Sequence, residues 1–182
     1  MTEEDRQKWD ARYLARMGSM QPSAIIKKYW TLAPLGKALD IACGNGRNSV
    51  FLAARGFDVD AVDISTVATT RLLTQSPRIS AIQADLDTWQ IPRDRYTLIV
   101  NIRFLDRRLF PMIIAGLRPG GVLIVESFID GHRSRYCLKP NELLRSFRSL
   151  HIVYYEELRS DPTEKSPQTA ALAAIKIDSA LS

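Results

Sequence analysis

The sequence predicts an α/β domain built on a mostly parallel sheet with helices on both faces, closed by at least one strand of opposite direction. Three observations carry that expectation. From residue 37 onward, short β-branched runs alternate with helical stretches. The chain closes on two apolar runs, about 150–157 and 170–177, separated by the polar, proline-containing SDPTEKSPQ. That spacing reads as a hairpin, and a hairpin requires an antiparallel pair. Finally, Leu39-Asp40-Ile41-Ala42-Cys43-Gly44-Asn45-Gly46 carries a carboxylate on a strand straight into a glycine turn and a helix. In parallel α/β sheets, ligands sit outside the carboxyl ends of such strands.

The elements follow in order. Residues 3–17 place Trp9, Tyr13, Leu14 and Met17 at helical spacing. A short helix follows Pro22-Ser23, with Ser23 as its cap and Ile25, Ile26, Tyr29 and Trp30 on its apolar face. Pro34 and Gly36 punctuate the chain before a first strand at 37–42. A helix over 48–55 stops at Gly56, a second strand covers 57–62, and a helix over 65–75 is capped by Ser65. Strands at 79–83 and 96–102 come next, the latter (YTLIVNI) apolar and β-branched enough to lie centrally. A helix over 106–117 is turned by Pro119-Gly120-Gly121 into a fifth strand at 122–128, and a helix near 141–147 precedes the closing hairpin.

With 182 residues, 46% hydrophobic and 25% charged, the chain is expected to form one domain, 1–182, with 1–33 as an N-terminal helical lid. MTEEDRQKWD is charged and lacks the apolar core of a secretory signal, and the apolar stretches are too short for a membrane span. The expectation is a cytoplasmic protein with no membrane partner and, by default, a monomer. Cys43 and Cys137 match no metal spacing and read as reduced thiols, and His132 and His151 cannot build a metal site alone. Net charge is +5, from 25 Lys and Arg against 20 Asp and Glu. The arginines are scattered, without a basic tail or run, which reads as solvated surface before it reads as a nucleic-acid face. Two modest clusters, Arg103 with Arg107 and Arg108, and Arg133 with Arg135, follow strands where a substrate would sit.

The chemistry rests on carboxylates at successive strand ends. Glycines in the turn after the first strand let the backbone approach a ligand without an intervening Cβ. Asp63 ends the second strand, where a carboxylate can accept both hydroxyls of an adenosine ribose. Asp85 ends the third, within reach of an adenine amine, with Leu86 or Ile64 packing on the ring. A nicotinamide dinucleotide is disfavoured: Gly44-x-Gly46 is followed by Arg47, Asn48 and Ser49, so the third glycine of that fingerprint is missing.

The run D-x-A-C-G-x-G, the aspartate at the second strand end, Ala84-Asp85-Leu86 and Leu117-Arg118-Pro119-Gly120-Gly121 together resemble the class I methyltransferases that use S-adenosylmethionine (SAM). GNGRNS, with WDARY and the PS pair near the N-terminus, is more narrowly similar to the tellurite-resistance/thiopurine-type branch, from about Trp9 to the last strands. The resemblance implies a Rossmann-like three-layer sandwich, with a seven-stranded, mostly parallel sheet and a reversed C-terminal strand. It implies SAM as cofactor and S-adenosylhomocysteine as product. By position, Asp40, Gly44 and Gly46 would shape the loop around the methionine part, with Ala42 where the family usually has its first glycine. Asp63 would hold the ribose, and Asp85, Leu86 and Ile64 the adenine. Arg12 is the candidate for the methionine carboxylate and Arg47 the second candidate, with Trp9 and Tyr13 closing over the cofactor.

The sulfonium activates the methyl, so the protein mainly aligns a nucleophile and excludes water. Acceptor contacts are expected from Asn101, Arg103 and Phe104 after the fourth strand, and from Ser127, Phe128, Arg133 and Arg135 after the fifth. Asn101 is placed on both the cofactor and the acceptor side, against the alternative of an ordinary strand-end hydrogen bond. Arg103 with Arg133 or Arg135 would suit a small anionic acceptor, and a soft thiol is equally consistent. Two other classes stay open: a SAM-binding sensor or regulatory partner without turnover, and an RNA or DNA methyltransferase.

Overall fold

The computed structural model describes residues 3–16, 18–129, 136–158 and 168–177. Its elements are α1 (Glu3–Ala15), α2 (Ala24–Tyr29), a 3₁₀ turn (Trp30–Leu32), β1 (Lys37–Ile41), α3 (Arg47–Ala53), β2 (Asp58–Asp63), α4 (Thr66–Leu72), β3 (Ile79–Gln83), β4 (Tyr96–Ile102), α5 (Leu109–Gly116), β5 (Leu117–Phe128), α6 (Glu142–Ser146), β6 (His151–Leu158) and β7 (Thr169–Ile175). The strands form one seven-stranded sheet in the order β3-β2-β1-β4-β5-β7-β6. β1 to β5 pair in parallel, and β7 runs antiparallel to both β5 and β6. This is the Rossmann-like sheet with a reversed last strand.

Burial explains the layers. The central strands are apolar on both faces, because both faces are covered. Ile25 and Ile26 of α2, Leu52 of α3 and Leu72 of α4 pack against one face. Leu109, Phe110 and Ile113 of α5, with Leu143 of α6 and the adjoining Phe147, pack against the other. The three carboxylates of β2 meet three fates. Asp58 is exposed and pairs with Arg78 at 2.8 Å. Asp60 is buried and held by the Tyr96 hydroxyl at 3.1 Å and Lys37 Nζ at 2.7 Å. Asp63 arrives at the carboxyl end of the sheet.

β3 and β4 coincide with the expected runs. Several other expectations need correction. Ser23 makes no side-chain cap to α2; buried against α3, its hydroxyl accepts from Arg47 at 3.1 Å and its N–H donates to Asn48 at 3.0 Å. α5 starts later than 106, because the Asp106 carboxylate accepts the Arg108 N–H at 3.0 Å and holds a turn there. Pro119-Gly120-Gly121 lies inside β5 rather than before it. Tyr96 pairs with Leu117, and the register then jumps to Leu98 against Val122, so the extra residues bulge outward. The apolar stripe expected on α1 is absent: none of its residues is buried, and Leu14 is 67% exposed. Residue 17, and most of SDPTEKSPQ, lie outside the described residues. Among the described residues, no helix is long and apolar enough to cross a membrane.

Gly46 fixes how α3 enters the sheet. It precedes the helix at φ 75, and a Cβ there would stand 2.0 Å from Leu72 Cδ2. Gly120 has the same φ of 75 with nothing within 4 Å of that position. Gly46→Ala is therefore expected to cost about 2–4 kcal/mol, combining left-handed strain with overpacking, and Gly120→Ala only about 1–2. Denaturant midpoints of both variants check this; equal losses would mean the Leu72 contact contributes nothing.

Candidate active site

A cavity of about 390 Å³ opens at the carboxyl ends of β1, β2 and β4, with α1 along one side. That volume is in the range of small-molecule sites. Its floor is the turn after β1, where Ala42 (φ 52), Gly44 (φ 57) and Gly46 (φ 75) all take left-handed backbone. Ala42 accepts strain that a glycine would avoid. At Gly44 the reason for glycine is space as well: a Cβ would lie 2.7 Å from the Tyr13 hydroxyl.

Asp63 closes this turn from below. It is 5% exposed, yet it lines the cavity. Its carboxylate accepts the Gly44 N–H at 2.8 Å and the Ser65 N–H at 2.9 Å. Burial pushes its pKa up, and these backbone bonds oppose the rise. A carboxylate offers about four lone-pair positions, so acceptor capacity is left for a ligand. Ile64 and Leu86 add apolar wall beside it.

Arginines dominate the remaining wall: Arg12 from α1, Arg16 just after it, Arg47 at the start of α3 and Arg103 after β4. The Arg12 guanidinium stands 5.0 Å from the Trp9 ring centre, and Trp9 stacks on Tyr13 at 5.9 Å. Arg47 is anchored by the Gln21 carbonyl at 3.3 Å and the Ser23 hydroxyl. Its pKa is lowered, first by burial and then by the like charge of Arg103. Arg103 sits at φ 62, in left-handed strain, with its N–H on the Glu126 carbonyl at 2.7 Å and its Nε 3.5 Å from the Glu126 carboxylate. Strained side-chain-bearing residues of this kind concentrate at functional sites.

The structure thus brings Trp9, Arg12, Tyr13, Ala42, Gly44, Arg47, Asp63, Ile64, Leu86, Arg103 and Phe104 to one cavity. Other expected residues are absent from its wall. Asp40 is fully buried behind the turn and accepts the Ser49 hydroxyl at 2.6 Å. Gly46 packs on Leu72 instead. The Asp85 carboxylate accepts the Asp87 N–H at 2.8 Å and shapes its own loop. Asn101 is fully buried next to the wall residue Ile102, and neither amide atom has a hydrogen-bond partner among the described residues. Ser127 is buried, while Phe128 faces Arg103 at 5.7 Å. Arg133 and Arg135 lie outside the described residues; among those described, Arg12, Arg16 and Arg47 share the wall with Arg103.

Sequence reasoning missed Arg16, Gly18, Ser19, Cys43, Asn45, Asn48 and Ile102 as wall residues. For Arg16 a signal existed. Trp9, Arg12, Tyr13 and Arg16 follow i, i+3, i+4, i+7, one face of a helix. A search for apolar stripes passes over a stripe that is half guanidinium.

Residues 13–159 match the family model described as tellurite resistance protein TehB. Hemagglutinin 1 of Eikenella corrodens is 31% identical, over 74% of this chain and 50% of its own length. The chain therefore spans about half the length of the curated relative it matches. Among solved structures, TehB from Haemophilus influenzae superposes with a TM-score of 0.74 at 20% identity, covering 93% of this chain and 67% of that one. The 1,6-didemethyltoxoflavin-N1-methyltransferase of Burkholderia thailandensis, solved with 1,6-didemethyltoxoflavin and S-adenosylhomocysteine, gives 0.69 at 17% identity, covering 95% and 87%. At these identities the structural likenesses establish a shared fold.

Burial pushes the Asp40 carboxyl up to about 7, against the opposing Ser49 hydrogen bond. Unfolded, the same group titrates near about 3.9. Between these values the native state keeps a proton that the unfolded state has lost, so stability falls as pH rises from about 4 through about 7. The slope from this one proton approaches about 1.4 kcal/mol per pH unit. Asp40→Asn, neutral throughout, is expected to flatten the curve in that window. Denaturant melts from pH 4 to 8 check it, and parallel curves for the two proteins would refute it.

Proposed function

We propose that this chain, which belongs to the tellurite resistance protein TehB family, is a SAM-dependent methyltransferase that delivers the methyl to a small anionic or soft nucleophilic acceptor by in-line displacement. The observation that carries the reading is Asp63. It is the carboxylate on the cavity wall, held rigid by the backbone amides of Gly44 and Ser65 on either side.

The residues present fit the cofactor. The missing Cβ at Gly44 lets Tyr13 close down onto the turn, so the aromatic side of α1 reaches the cavity floor where the cofactor would lie. Asp63 would take the ribose hydroxyls, Ile64 and Leu86 would flank the adenine, and Arg12 would face the methionine carboxylate. When bound, SAM supplies a methyl already activated as a sulfonium. The chain's own work is then to orient the acceptor and exclude water. Arg47 and Arg103 present paired guanidiniums to an oxyanion or carboxylate acceptor. Asn101, next to the wall residue Ile102, holds an amide with no partner among the described residues, at a cost of about 1–3 kcal/mol. We assign it to the acceptor side, where filling the site satisfies it directly or through water.

Two measurements test this reading. Calorimetric titration is expected to show SAM and S-adenosylhomocysteine binding that Asp63→Ala weakens at least about tenfold, as loss of a charge-assisted hydrogen-bond pair requires. Wild-type protein that binds neither ligand would refute it. For the acceptor, Arg103→Asn suits the left-handed φ of 62 and removes the charge. It is expected to lower kcat/KM for small oxyanion, carboxylate or thiolate acceptors about 10–100-fold, with SAM affinity unchanged. S-adenosylhomocysteine formation is the readout, and undiminished turnover would sink the anionic assignment.

A further inference from the structure

Helix α1 supplies Trp9, Arg12 and Tyr13 to the cavity, and Arg16 follows directly after it, yet none of the helix's residues is buried. Hydrophobic burial therefore does little to hold it in place, and polar contacts must do so. The largest set converges on Asp10. Its Oδ1 accepts the Ser65 hydroxyl at 2.6 Å and the Val67 N–H at 3.1 Å, while Oδ2 accepts from Arg6 at 2.9 Å. One turn further along, Arg71 donates to the Tyr13 carbonyl at 2.7 Å.

Ser65 is the shared partner. Its N–H is spent on Asp63 and its hydroxyl on Asp10. One residue thus touches both the carboxylate of the proposed ribose site and the latch of the helix above it. Asp10 is not needed to cap α4, because Ser65 Oγ already accepts the Ala68 N–H at 3.1 Å. Its separate consequence is to hold α1.

We propose that Asp10 is a positioning residue that latches α1 over the cavity and, through Ser65, couples the docking of α1 to occupation of the Asp63 site. The proposal rests on the reading of the cavity as the SAM site. Burial tends to raise the Asp10 pKa, but the Ser65 hydroxyl, the Val67 and Thr66 amides and Arg6 outweigh it and keep the carboxyl below its usual range. The latch is therefore charged at neutral pH, and the orphan amides at the start of α4 favour that charge.

The test compares wild type, Asp10→Ala, Asp10→Asn and Arg71→Gln, using calorimetric titration with S-adenosylhomocysteine and hydrogen exchange of the α1 amides. In wild type, the ligand is expected to slow α1 exchange. In Asp10→Ala, α1 is expected to exchange quickly with or without ligand and affinity to fall about tenfold, while exchange in β1 and β4 stays as in wild type. Asp10→Asn keeps an acceptor oxygen for Ser65 and Val67 and is expected to recover most of the affinity. Arg71→Gln removes the second tether without touching the amides of α4, and is expected to act in the same direction as Asp10→Ala. Tight wild-type binding that Asp10→Ala leaves unchanged, or α1 exchange indifferent to ligand, would overturn the latch alone. No binding by wild type would overturn the cofactor reading and the latch with it.

Discussion

The hydrogen bonds from the Gly44 and Ser65 amides to Asp63 are the constraint on which the site depends. They join the turn after β1, the end of β2 and the start of α4 through one buried carboxylate. Desolvation makes such a carboxylate expensive unless its oxygens are satisfied, so the two backbone segments are drawn to it. The same bonds fix the turn in its left-handed course. Tyr13 can then lie against Gly44, and α1 has a surface to cover.

Much of this was legible because each feature is enforced locally. β4 falls where expected because a buried central parallel strand leaves a continuous apolar run. The partly exposed edge strand β3 (ISAIQ) falls at its expected 79–83 through its isoleucines and alanine. Ser65 caps α4 as expected, because its short hydroxyl reaches the Ala68 amide from extended backbone. The strand-end rule located the cavity, since Asp63 could be placed without any tertiary knowledge.

What escaped the sequence was decided by packing between distant segments. Asp40 and Gly46 lie in the motif, but one is turned behind the strand toward Ser49 and the other is wedged against Leu72 of α4. Alternation along a strand assigns faces; it does not say which face holds the opening. Helix α1 was harder still. Its covering face is a mixed stripe of tryptophan, tyrosine and arginine, and its attachment is ionic and hydrogen-bonded, so hydrophobic periodicity pointed at Leu14, which is exposed. Ser23 looked like a cap from its position alone, and burial gave its hydroxyl to Arg47 instead.

The arginines set the final physical question, because a wall rich in one sign of charge costs energy in the empty protein. Burial and the like charge of Arg103 lower the Arg47 pKa, and an anion that enters beside these two guanidiniums relieves the repulsion. On the proposed reaction, however, methyl transfer removes the acceptor's charge, so an anion gripped too closely would be held in its ground state. The anchoring of the two side chains answers this. Arg47 is tied to Gln21 and Ser23, and Arg103 to Glu126, so neither is free to collapse onto the acceptor. On that proposal, a fixed field of this kind would select for an anion at entry while limiting how strongly it is held. Glu126 further divides the Arg103 charge between protein and ligand. Selection at the mouth and weak grip at the reacting atom would then follow from one arrangement, in which Arg47 is hydrogen-bonded to the protein and Arg103 is paired with Glu126 at 3.5 Å.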